Sequence, residues 1–196
     1  QKKFLKELTE ISKTHQLNKK LVNEMRQQGD DVIQYILPAL TDYFDEYEVV
    51  AVEEPLFENI STQDFQTEYK FKGFIDLVLK TKDGKYHVID WKTCSWGWDM
   101  KKRTDKIITY QLTLYKNFYS LKYNIDVSNV ETHFALLKRT AKKDKAEIFR
   151  VSSGERKTKN ALSHLKKAIV NIEAGVSIKN RTSCKYCEFY QTEYCR

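Results

Sequence analysis

Two prolines and six glycines in 196 residues leave little room for a long flexible linker, so the sequence reads as one continuously folded domain. No apolar run approaches the ~18 residues needed to cross a bilayer. The Lys-rich N-terminus also lacks the apolar h-region of a secretory signal. These absences argue against a membrane span and make an intracellular protein the expectation, cytoplasmic or in a host-cell cytoplasm if viral. The chain begins at Gln1 rather than Met, which leaves room for an upstream segment. Cysteines are few: Cys94 stands alone, while Cys184, Cys187 and Cys195 crowd the end. That distribution excludes a secreted disulfide framework and fits a metal clip. Acidic residues are outnumbered, 27 Asp plus Glu against 34 Lys plus Arg, for a net charge of +7. The balance favours a polyanionic partner, although a plain basic soluble protein accounts for the charge equally well. What is plentiful is apolar, 41% hydrophobic with 13% aromatic, and this excludes a disordered chain.

The most informative stretch is 69–93. Residues 69–81 read as a strand with Ile75, Leu77 and Leu79 alternating against Asp76 and Val78. Lys82-Asp83-Gly84-Lys85 is a hairpin turn signal, and 86–93 reads as the returning strand. Alternation places Asp90 and Lys92 on the same face. With Asp76 opposite, two carboxylates and an ammonium would converge at one edge of a small sheet. Carboxylates inside apolar strands are costly to bury without a compensating cation. Mg²⁺, hard and oxygen-seeking, suits that role.

In chain order, 4–28 has the amphipathic spacing of one or two helices, with Phe4, Leu5, Leu8, Ile11, Leu17, Leu21, Val22 and Met25 on the apolar side. His15, among polar neighbours, reads as a solvated side chain. Gly29 is expected to open a second helix over 30–46. Residues 47–57 read as the first strand, followed by a polar loop at 59–66. After Thr93, Trp96 and Trp98 flank a glycine and lead into Lys101, Lys102 and Arg103. This is a combination suited to stacking on bases and tracking phosphates, although packing of the loop onto the domain explains at least one tryptophan as well. Residues 107–121 form an amphipathic helix with Gln111 and Tyr115 at i, i+4 on one face. Strands at 130–138 and 146–151 flank a basic turn, 139–145, which fits either a grip on a nucleic-acid backbone or a solvated tip. A last helix spans 153–175. The order gives an α/β domain with a mixed central sheet between helices: 1–46 N-terminal helices, 47–175 core, 176–196 cysteine-rich tail.

Gly73-x-x-Asp76, a hairpin, Asp90-x-Lys92-Thr93, and then Gln111-x-x-x-Tyr115 on a helix together resemble the PD-(D/E)xK nuclease superfamily, in particular its RecB-like and Cas4-like branch and the phage exonucleases within it. The resemblance implies a restriction-endonuclease-like core and Mg²⁺- or Mn²⁺-dependent hydrolysis of DNA, acting from ends. It implies that Asp76, Asp90 and the Trp91 carbonyl bind metal. Lys92 would position water or stabilise the transition state, and Gln111 and Tyr115 would orient Lys92 or contact the substrate. A Glu before a Pro-hydrophobic pair also belongs to the pattern: Glu53 fits best, with Glu54 as runner-up. The branch often carries Gly-x-x-x-His on an early helix, whereas here Gly29 is followed by Ile33. An inactive nucleic-acid-binding module on the same fold is the alternative.

Cys184-x2-Cys187-x7-Cys195 places soft thiolates close together, as zinc and iron–sulfur sites require. The resemblance favours a 4Fe-4S cluster, with Zn²⁺ as the alternative. The fourth ligand is open between Cys94, a cysteine upstream of Gln1, and a histidine.

Overall fold

The computed structural model describes residues 2–60, 67–176 and 181–195. Most of the expected polar loop (61–66), the side chains of Phe4 and Leu5, and residues 177–180 of the tail lie outside the described part.

Three helices come first: α1 (Lys2–Thr14), α2 (Lys19–Ile33) and α3 (Ile36–Phe44). The expected break at Gly29 is corrected, because Gly29 lies inside α2 and the chain turns at Gln34 and Tyr35 instead. Pro38 explains the position. Its missing N–H cannot bond the Gln34 carbonyl, so α2 cannot run through it, yet the first turn of α3 tolerates it.

Five strands follow, in sheet order β1-β2-β3-β4-β5: β1 (Tyr47–Asn59), β2 (Lys70–Thr81), β3 (Tyr86–Cys94), β4 (Val130–Lys138) and β5 (Ala146–Arg150). Neighbours are antiparallel except β3 and β4, which run parallel. The β2–β3 turn closes at Gly84, whose φ of 81° is open to glycine at no steric cost. The parallel pair needs a crossover, supplied by α4 (Met100–Thr104) and α5 (Lys106–Tyr123). Asp105 caps α5 by accepting from the Ile107 and Ile108 N–H groups, and left-handed Asn124 ends it. The short α4 lies in the stretch read as loop; Asp99 caps it by accepting from Lys102 N–H. The last helix, α6 (Glu155–Glu173), packs on α5.

The sheet is covered on both faces. On one side α5 and α6 pack with Leu56, Val78, Val88, Leu112, Phe118 and Phe134 in the larger core. On the other, α3 contributes Leu40 and Phe44 over Leu77, Leu79, Ile89 and Ala135. This is why the expected alternation in β2 gives way to a continuous run: Ile75, Leu77, Val78 and Leu79 are all buried. Among the described residues, no helix is long and apolar enough to cross a membrane.

Candidate active site

The centre of interest is a fork in the sheet. Pairing of β2 with β3 ends at Leu77↔Ile89. Beyond it, β2 stays with β1 as far as Asn59↔Lys70, and β3 stays with β4 as far as Cys94↔Lys138. Asp76 and Asp90 are the first residues past the split, one on each arm. The carboxylate of Asp76 bridges it, with Oδ2 accepting from the Trp91 N–H at 2.7 Å. The carboxylates therefore meet inside the sheet, not at its edge.

Glu53 occupies the same level on β1. Val52 pairs with Leu77 and Glu54 with Ile75, which leaves Glu53 and Asp76 between two ladder pairs. Glu53 has φ 53° and is exposed. For a residue with a Cβ that conformation costs on the order of 1 kcal/mol or more. Glu54 turns the other way: its Oε1 accepts from Lys122 Nζ (2.6 Å) and the Tyr123 hydroxyl (2.5 Å) at the end of α5. Burial pushes the Glu54 carboxyl up, but those two hydrogen bonds and the Lys122 charge outweigh it and hold it below the usual range. Glu54, the runner-up, is thus a tie between β1 and α5.

Asp90 is 2% exposed. Its Oδ1 accepts from Gln111 Nε2 at 3.1 Å, and the Lys92 ammonium lies 2.6 Å from Oδ2. Among the described residues, Lys92 is the polar partner of this buried oxygen. Burial raises the Asp90 carboxyl above its ordinary range; Lys92 opposes this and the Asp76 charge adds to it. Gln111 also donates to the Tyr115 hydroxyl at 3.1 Å. Gln111 therefore holds Asp90; the expectation had been that it orients Lys92 or contacts the substrate. The Tyr115 ring lies over Gly73, where an added Cβ would meet Cε1 at 2.7 Å. The donor set of Asp76, Asp90 and the Trp91 carbonyl is all oxygen, which fits a hard divalent cation. A carboxylate 2% exposed needs compensating positive charge, and such an ion would share that role with Lys92.

The loop after β3 divides into two. Trp98 is buried, with its ring 5.1 Å from Phe134 and 6.3 Å from Phe149. Arg103 donates to the Trp98 carbonyl, pairs with Glu147 at 2.5 Å and lies 4.5 Å from the Phe149 ring. Both hold the loop down; Arg103 is half-buried, and Trp98 is buried away from the surface expected to face nucleic acid. Trp96 (71% exposed), Lys101 and Lys102 remain on it, Lys102 with its ammonium 4.6 Å from the Trp98 ring.

In the tail, Cys184 is half-buried and Cys187 and Cys195 are exposed; all four cysteines are free. Among the described residues a group of three metal-ligating side chains converges elsewhere, at His87, Glu131 and His133, with ligand atoms within 4.8 Å of one another. The tail cysteines are not part of that group. The sequence reading had singled out none of His87, Glu131 and His133. The signal was there in Glu131-x-His133, which puts both residues on one face of β4.

Residues 2–196 match the model of the PD-(D/E)XK nuclease superfamily. No curated protein matches the chain. Among solved structures it is similar to SSO0001, at 19% identity and a TM-score of 0.48, covering 82% of this chain and 66% of that one. It is also similar to a "Putative exonuclease" from Eubacterium rectale, at 13% identity and a TM-score of 0.49, covering 87% of this chain and 59% of that one. The chain therefore spans less than two thirds of the length of either. A family match over the whole described length, on a mixed sheet that opens where the motif carboxylates stand, establishes that the chain belongs to the PD-(D/E)XK nuclease superfamily.

Proposed function

We propose that this protein is a metal-dependent deoxyribonuclease of the RecB-like and Cas4-like kind, hydrolysing phosphodiester bonds from DNA ends with Mg²⁺ or Mn²⁺. The observation that carries the reading is the fork itself: Asp76 and Asp90 stand on its two arms, the Asp90 carboxylate is 2% exposed, and the Lys92 ammonium lies 2.6 Å from its Oδ2. Asp76, Asp90, the Trp91 carbonyl and Glu53 would hold the ion. Bound there, it supplies Lewis acidity, lowering the pKa of a water and neutralising charge on the scissile phosphate.

The remaining work belongs to the side chains. Lys92, partly exposed and anchored on Asp90, presents a point charge where negative charge builds on the phosphate. Gln111 fixes the Asp90 carboxylate, and Tyr115 fixes Gln111. Trp96, Lys101 and Lys102 offer a stacking face and cations to the strand beside the fork. The net charge of +7 favours the same partner. We assign the Cys184, Cys187 and Cys195 spacing to a 4Fe-4S cluster, with Zn²⁺ as the alternative; its support is the spacing alone.

The test is a time course on end-labelled linear and on circular single-stranded DNA, with Mg²⁺, Mn²⁺ or EDTA, comparing wild type and Lys92→Ala. Metal-dependent shortening of the linear substrate only, absent in Lys92→Ala, is expected. Cleavage of the circle would replace the exonuclease with an endonuclease. Binding without cleavage in any metal would favour the inactive module, for which Ile33 in place of a histidine is the supporting observation.

A further inference from the structure

The sheet face covered by α3 carries a second constellation, independent of the nuclease reading. His87 is on β3, and the parallel register sets Glu131 beside it and His133 beside Ile89. The Phe44 ring of α3 lies 4.8 Å from the His87 ring and 5.1 Å from that of His133, so both imidazoles are on this face. Asp90 is three residues further along β3, roughly 10 Å away at the rise of an extended strand, with its carboxylate turned to α5.

We propose that His87, Glu131 and His133 form a binding site for a borderline transition-metal dication of the Zn²⁺ class. The donor atoms of the three lie within 4.8 Å of one another. His87 Nδ1 is 3.1 Å from His133 Nε2 and 3.9 Å from Glu131 Oε2. Ligands at about 2.0–2.2 Å around a tetrahedral ion stand about 3.3–3.6 Å apart, so the observed separations bracket the required ones. Two nitrogens and one carboxylate oxygen select this class over Mg²⁺, unlike the all-oxygen set at the fork.

Two of the three donors are held by a second partner. The Thr81 hydroxyl donates to Asp83 Oδ1, so its oxygen is left to accept from His87 Nε2–H at 2.9 Å. Neutral His87 then has a bare Nδ1 facing the other donors, the arrangement in which an outer carboxylate orients a metal-binding histidine. Glu131 Oε1 is engaged by Arg150 (3.1 Å) and Lys85 (3.5 Å), leaving Oε2 toward His87. His133 is 1% exposed; in the metal-free protein its Nε2–H donates to the bare His87 Nδ1, and its Nδ1, without a partner among the described residues, is the position to which that proton would move when Nε2 binds a metal. The three side chains line an open cavity of about 370 Å³ with Asp45, Glu46 and Asp83, four carboxylates in all against Lys82 and Lys85. Remaining coordination positions have room for water.

Nitrogen-15 NMR on the histidine-labelled chain reads this site apart from the cysteines and the fork, because each of its four histidines reports separately. Titrating Zn²⁺ is expected to shift His87 Nδ1 and His133 Nε2 together while His15 and His164 stay in place; Mg²⁺ is expected to move none of them. Thr81→Val, which removes the outer hydrogen bond without touching a ligand, should weaken the Zn²⁺ response at both rings roughly tenfold or more, and Glu131→Gln at least as much. Zn²⁺ taken up with both rings unmoved, or a response unchanged in Thr81→Val, would overturn the proposal.

Discussion

At the scale of single residues, the site rests on a short relay from Gly73 through Tyr115 and Gln111 to Asp90. Each link is a contact of 3.1 Å or a van der Waals surface with no spare room. A methyl group at position 73 cannot be met by a flexible tip, because the atom it would strike belongs to a buried ring. Gly73→Ala should therefore cost about 1–3 kcal/mol, as overpacking does. It should also slow cleavage by more than that loss of folded protein accounts for, since Gln111 moves with Tyr115. Urea unfolding alongside nuclease rates measures both. Unchanged stability would mean that the ring yields and the relay is loose.

At the scale of elements, β1 divides two neighbouring carboxylates between different tasks. Glu54 ties β1 to α5, and losing a charged hydrogen-bonded partner there costs about 1.5–3 kcal/mol. Its folded-state carboxyl lies below the ordinary range, so this stabilisation is present above the unfolded pKa and is lost as pH falls toward the folded one. Glu54→Gln should be less stable than wild type at pH 7, with the gap closing under acid, and should retain cleavage per folded molecule. Glu53→Gln should do the reverse, leaving stability nearly unchanged while weakening metal-dependent cleavage. Thermal melts from pH 7 to 3 with parallel assays separate them. The loop around α4 divides likewise. Trp98→Ala removes a buried aromatic and should cost about 3–5 kcal/mol. Trp96→Ala should spare the fold and weaken single-stranded DNA binding by about 1–3 kcal/mol, the contribution of one stacked base. Equal effects of the two in melting and binding titrations would contradict the division.

What was legible at this scale was local. The i, i+4 spacing of Gln111 and Tyr115, the two-residue alternation of Asp90 and Lys92 and the Asp83-Gly84 turn each depend on a few neighbouring residues, and each is found where the spacing puts it. The break between α2 and α3 was misplaced because Gly29 was weighed as punctuation, while the missing N–H of Pro38 acts four residues upstream. Glu54 and Trp98 could not be assigned from spacing. Their partners Lys122 and Phe149 come from distant segments, and only the strand order decides which carboxylate or indole finds them.

At the scale of the molecule, a sheet covered on both faces has few places for charge, and this one keeps it where pairing stops. The mixed α/β architecture was readable from the order of strands and helices. The fork was not, because it depends on β2 following β1 and β3 following β4 past Leu77 and Ile89. Nor was the His87, Glu131 and His133 group, which needs the parallel pairing of β3 with β4. The fork carries a cost in the metal-free protein. The raised Asp90 carboxyl means that stability falls as pH rises from the unfolded pKa through the folded one, because the native state then gives up a proton it holds more tightly than the unfolded chain does. An asparagine at that position keeps the Gln111 contact and never ionises.

Asp90→Asn, assayed on linear single-stranded DNA with Mn²⁺ and melted in chelator at pH 7, is therefore the most direct test. Cleavage lower by at least about 100-fold, with a melting temperature equal to or above that of wild type, is the predicted result. Cleavage at the wild-type rate by the asparagine variant would contradict the placement of the active site at the fork.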